Sequence, residues 1–94
     1  MKIRGVIWLD SVIEKVESKH GVSCEEVRQI LRGHASFRFV EKGHRRGENV
    51  YAALGRTEAG RYLVVFFVQK PDHRALILTA RDMTVTERKR HERK

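Results

Sequence analysis

Cysteine is almost missing from this chain of 94 residues, and its absence narrows the chemistry at once. The one thiol, Cys24, excludes an intrachain disulfide and cannot supply a thiolate metal cluster, which fits a reducing compartment. Its setting is the first turn of a helix, where a small buried or half-buried apolar group is the expectation, with a reactive thiol as the alternative. No apolar run approaches the roughly 18 residues that a membrane-spanning helix needs. The N-terminus carries Lys2 and Arg4 but no long apolar stretch before Asp10, so neither secretion nor membrane insertion is expected and a cytoplasmic setting fits best. Repeats, linkers and low-complexity segments are lacking, apart from a charged tail. The length suits one domain, 1–94, with 84–94 its charged C-terminal helix.

Acidic residues are the scarce charge. Twelve Asp and Glu face 20 Lys and Arg, for a formal charge of +8 and a pI near 10.3, so acidic partners such as nucleic acid or an acidic protein are favoured. The basic excess is one in residues 1–33, four in 34–80 and three in 81–94. It therefore belongs to the strand-rich region and the tail.

Residues 3–9 are apolar enough for a first strand, and Asp10 and Ser11 can cap the helix that follows. Val12, Ile13 and Val16 recur at helical spacing up to Lys19, and Gly21 stands where a chain leaves a helix through the left-handed region. Ser23 and Glu26 form a capping box for a second short helix, whose stripe is Val27, Ile30 and Leu31 and whose stop is Gly33. Neither helix is long enough to be stable alone, so the two must share one apolar surface. From Ala35 the period becomes two. "ASFRFVE", "NVYAALGR", "RYLVVFFVQ" and "RALILTAR" read as four strands, separated by the basic loop "KGHRRGE", the turn "EAG" and the turn "KPDH". The third of these is apolar on both faces and belongs in the middle of a sheet. Thr84 and Glu87 offer a second capping box ahead of "ERKRHERK". The order β-α-α-β-β-β-β-α predicts an α+β fold, an antiparallel sheet with helices over one face.

Candidate chemistry is reached by elimination. His20, His34, His44, His73 and His91 are scattered without metal-ligand spacing, no glycine motif cradles a nucleotide phosphate, and no serine motif offers a nucleophile. No metal and no cofactor are expected. Cations, imidazoles and the carboxylates Glu48 and Glu87 suffice for one reaction class, cleavage of RNA by its own 2′-hydroxyl, in which a base and an acid move protons and cations hold the phosphate. Each candidate also has a plainer reading. His20 is a helix-terminal cation or an RNA contact, and Lys19 a solvated residue or a phosphate contact. Arg81 clamps a phosphate or pairs with Asp82 or Glu87. Glu87 is a capping residue first and a base second. His44, Arg45 and Arg46 form a positive loop tip, either a phosphate contact or a solvated turn. Phe66 and Phe67 read as core, whereas Tyr51 and Tyr62 suit wet contacts.

The run "W…KHGVS…EE", then "ALGR" at Ala53–Arg56, then "AR…TERKRHE" from Ala80 resembles the BrnT family of type II toxins, small ribonucleases related in fold to RelE. The similarity spans roughly residues 6–92. It implies an endoribonuclease acting on cellular RNA to slow translation. It also implies a cognate antitoxin with a ribbon-helix-helix domain, and contact with operator DNA only through the toxin–antitoxin complex. On the same grounds Lys19, His20, Arg61 and Arg81 match the catalytic or RNA-contacting face, and Glu87 and Arg88 the charged start of the last helix. The chain departs from the family where an acid, a lysine and an asparagine are usual, with Leu9, Val12 and Val16 in those places. His91 stands where a tyrosine is usual. These departures give the alternative reading: a non-catalytic, toxin-like protein that binds an antitoxin or nucleic acid.

Overall fold

In a computed structural model that describes residues 1–93, eight elements follow one another in the order the sequence predicts. They are β1 (Gly5–Ile7), α1 (Asp10–His20), α2 (Cys24–Arg32), β2 (Ser36–Glu41), β3 (Val50–Arg56), β4 (Tyr62–Gln69), β5 (Arg74–Asp82) and α3 (Val85–Glu92). Lys94, the end of the expected tail helix, lies outside the described residues. The sheet has the order β1-β5-β4-β3-β2. Strands β2 to β5 form the antiparallel meander, with the doubly apolar β4 at its centre. β1 differs: it adds parallel to β5, pairing Gly5 with Arg74 and Ile7 with Leu76, and the sheet is therefore mixed. The first strand is also shorter than the apolar run from Ile3 to Leu9, because Trp8 leaves the sheet to pack against the core as the chain turns into α1.

Both helices lie on one face. Val16, Val27 and Ile30 meet Leu63, Val65, Phe67, Ile77 and Ala80, all essentially closed to solvent. Each large apolar side chain buried in this way contributes about 1.5–3 kcal/mol, which compensates for helices too short to stand alone. Val22, in the joint between α1 and α2, is wholly buried and locks the angle between them. Gly21 takes the left-handed conformation at the end of α1 (φ 60°), as its position predicts. The start of α1 corrects the expectation: Leu9 is the capping residue and no side chain closes that end. Asp10 instead sits in the first turn, where its charge complements the helix dipole. The capping boxes of α2 and α3 form as expected, Ser23 with Glu26 and Thr84 with Glu87.

The opposite face is thinly covered. Ala52, Leu54 and Val64 are buried there with Phe66 and Met83 packed on them, and α3 buries no residue of its own. Phe66, expected in the core, is only half-buried on this side. One irregularity decides what that face displays. Phe66 pairs with Thr79 but Phe67 with Ile77, so Leu78 is an extra residue in β5. The bulge reverses the inward–outward alternation beyond it. Ile77 and Ala80, three residues apart, both face the helices. Arg81 is thereby turned to the open face and Asp82 to the helical one.

Candidate functional site

At the end of β5 the open face carries Arg81, whose guanidinium lies over the Phe66 ring, 5.4 Å from its centre. The fork closes on Glu87: Nη1 donates to Oε1 at 2.8 Å and Nη2 to Oε2 at 3.1 Å. The same carboxylate accepts the Thr84 amide at 2.8 Å, completing the capping box. Arg81 is the main reason that Glu87 is held well below the usual carboxylate range, at about 2, with the Thr84 amide adding to the effect. Arg81 is raised in return by that bond. The pair ties α3 to the sheet through charge, because the helix has no apolar stripe to do so.

Tyr62 is the second centre. Arg88 lies 4.4 Å from its ring centre, Arg56 lies 5.4 Å away, and the His91 ring meets its edge at 6.1 Å. Arg56 and Tyr62 are opposite each other in the β3–β4 ladder. Arg88 also donates to Glu92 at 2.9 Å, whereas Arg56 makes no ion pair among the described residues. The Nδ1 of His91 is buried without a hydrogen-bond partner. Glu87 and His91 are one helical turn apart, so both project toward this face, as i and i+4 residues do. The open face thus carries three arginines, two carboxylates, an imidazole and a phenol, in two clusters that the same helix supplies.

The other candidates stand elsewhere. Arg61 turns to the helical side and is saturated: it donates to Asp82 at 2.8 and 3.1 Å, to Glu26 at 3.2 and 3.3 Å, and to the carbonyls of Gly21 at 2.7 Å and His20 at 3.1 Å. Its hydrogen bond to Asp82 raises its own basicity and lowers that of Asp82. The capping carboxylate Glu26 therefore has two tasks, closing α2 and anchoring Arg61. His20 is half-buried and joins this cluster through its backbone, and Lys19 is exposed beside it. His44, Arg45 and Arg46 are exposed in the β2–β3 loop, at the end of β3 opposite Arg56 and so roughly 20 Å from it. Of the residues singled out in the sequence, Arg81, Glu87 and Arg88 share one face; Lys19, His20 and Arg61 form a second group and the loop a third.

Arg56 and His91 were not among the predicted site residues. The signal for His91 was its i, i+4 spacing from Glu87, and for Arg56 its place across the "EAG" turn from Tyr62. Among the described residues no three His, Cys, Asp or Glu side chains gather as a metal site would require.

The profile of the ribonuclease toxin BrnT of type II toxin–antitoxin systems matches residues 10–87, most of the chain and all of the fold between α1 and the first turn of α3. No curated protein matches.

Proposed function

Since the chain belongs to the BrnT family of ribonuclease toxins and has its RelE/BrnT-like α+β fold, we propose that it is a metal-independent endoribonuclease that inhibits translation. The observation that carries this reading is that α3 sets Arg88 and His91 on Tyr62, beside Arg56, and sets Glu87 on Arg81 over Phe66, so that both clusters share the open sheet face.

Arginine forks suit phosphate oxygens, and Tyr62 gives a base a ring to stack on. In the resting protein Glu87 is a poor base, because the conjugate acid of a carboxylate held near 2 gives up its proton too readily. A phosphodiester that takes over the Arg81 fork changes this: with its partner shared, the carboxylate returns toward the ordinary glutamate value and becomes a better base. Glu87 then takes the 2′-hydroxyl proton, the 2′-oxygen attacks phosphorus, and the bond to the 5′-oxygen breaks. His91 gives a proton to that leaving oxygen, yielding a 2′,3′-cyclic phosphate and a free 5′-hydroxyl. Arg81 and Arg88 hold the charge that builds on the phosphate. Arg61 and His20 act as positioning residues, setting the end of β5 through Asp82. Lys19, His44, Arg45 and Arg46 contact phosphates farther along the RNA. The partner is an acidic antitoxin with a ribbon-helix-helix domain, through which alone the complex touches operator DNA. The setting is cytoplasmic; among the described residues no helix is long and apolar enough to cross a membrane.

The test is cleavage of single-stranded and ribosome-associated RNA by the purified chain in chelator. Cyclic phosphate ends are expected, and Arg81→Ala or Glu87→Gln should slow the reaction at least about 100-fold. A second reading, a binding protein without catalysis, is favoured by Val12 and Val16. These stand at positions where the family resemblance expects polar groups, yet Val16 is buried in the core and Val12 packs against it. RNA left intact in every condition, no growth arrest on expression alone and tight binding to an antitoxin would replace the first reading with the second.

A further inference from the structure

Beside the open face, at the edge of the sheet, lies a notch that meets the proposed cleavage residues along one side only, at Arg56 and His91. It has a volume of about 560 Å³, within the range of small-molecule sites. It exists because β2 begins only at Ser36, opposite Leu54, so the end of β3 continues past its neighbour. The C-terminal turn of α2 forms one wall, the β3–β4 turn another, and His91 of α3 closes the side toward Tyr62. Its floor is apolar: Gly55 has no side chain, and Ile30 and Ala35 pack directly against it, within 3.3 and 3.6 Å of where a Cβ would stand.

The rim is the informative part. Arg56 and Glu58 both line the notch, two residues apart, and neither side chain has an ion-pair partner among the described residues. The backbone of Glu58 is held by Gln29, whose Oε1 accepts the Glu58 amide at 3.0 Å, so the turn is fixed while its carboxylate stays available. A bare phosphate pocket has no use for a carboxylate. A flat ligand with acceptors on one edge and donors on the next needs both groups. Guanine is such a ligand: O6 and N7 accept from an arginine fork, while N1–H and the 2-amino group donate to a carboxylate. Arg56 borders both regions: it lines the notch, and its guanidinium rests over Tyr62 beside Gly60, within reach of a base at the notch mouth.

We infer that the notch is a guanine subsite, receiving a base of the RNA strand whose phosphates lie on the open face and so setting which sequence is cut. The identity of the strand rests on the ribonuclease reading, but the subsite itself is open to a test without cleavage. The intact chain is titrated with GMP, AMP, CMP, UMP and ribose 5-phosphate, followed by backbone and side-chain NMR. GMP is expected to shift His34, Gly55 and Glu58 and to bind about tenfold tighter than AMP or ribose 5-phosphate, the lower end of what a two-point base contact provides. Glu58→Gln removes that preference and leaves ribose 5-phosphate binding as it was. Ala35→Trp, which fills the floor, abolishes the GMP shifts; Glu58→Gln, a surface change, supplies the answer if the larger substitution does not fold. Equal binding of GMP and ribose 5-phosphate, or GMP shifts confined to Arg81 and Arg88, overturns the inference. A protein that cuts no RNA but still selects GMP would refute the ribonuclease reading and retain the subsite.

Discussion

Arg81 and Glu87 are joined by two hydrogen bonds, at 2.8 and 3.1 Å, and the glutamate caps its own helix with the same carboxylate. One group therefore links the edge of the sheet, the start of α3 and the charge of the open face. Glu87 lies at about 2 in the folded protein against 4.5 ordinarily, so the pair stabilises the fold fully above the ordinary value. That contribution fades as pH falls below 4.5 and through about 2. Glu87→Gln retains a side chain able to complete the capping box but loses the charge. Urea unfolding should show the wild type ahead by about 1 kcal/mol at neutral pH, a modest sum because 33% of the Arg81 side-chain surface remains exposed. The gap should close toward pH 2. A gap that persists in strong acid would mean that the ion pair is not its source.

Arg61 is expected to act on stability. Its removal leaves Asp82, Glu26 and two carbonyls short of a donor, so Arg61→Ala should cost about 2–3 kcal/mol. Arg61→Lys should recover less than half, since an ammonium cannot reproduce the fork. Denaturation midpoints decide the matter, and an unchanged midpoint in Arg61→Ala would end the assignment.

Salt dependence separates the faces. Replacing Arg56, Arg81 or Arg88 with Gln should each lower the slope of log affinity against log salt by about 0.7 for a single-stranded RNA. Arg74→Gln should leave the slope alone, because that side chain, beside Asp72, stands at the end of β5 opposite Arg81. Equal effects from all four would show that binding follows net charge and not this surface.

Gly43 is a backbone requirement in the basic loop. A Cβ there would collide with the carbonyl of Glu48, and Glu48 in turn holds Lys70 at 3.0 Å. Gly43→Ala should therefore displace residues 43–48 and cost about 1–3 kcal/mol. Gly47→Ala, where φ is 82° but nothing stands within 4 Å, should cost only the left-handed strain of about 1–2 kcal/mol. Thermal melts and loop chemical shifts distinguish the two.

Much of the architecture was legible locally. Ser23 with Glu26 and Thr84 with Glu87 start α2 and α3 because a capping box needs only four consecutive residues. The run "YLVVFFVQ" named the central strand because only a strand covered on both faces can be apolar at every step. The candidate site was legible only as neighbours in sequence. Arg81, Glu87 and Arg88 lie close together in sequence and share a face, whereas Arg61 carries the same charge and turns away from it.

What the sequence determined by itself was the order of elements, the caps of α2 and α3 and the sign of the surface, since these follow from spacing within a few residues. Only the tertiary structure decided where the charges point. The extra residue Leu78 in β5 reverses the alternation that period-two counting presumes, aiming Arg81 at the open face and Asp82 at Arg61. A bulge has no local signature here, because it settles how two strands register against a common core, and that registry is a property of the packed sheet.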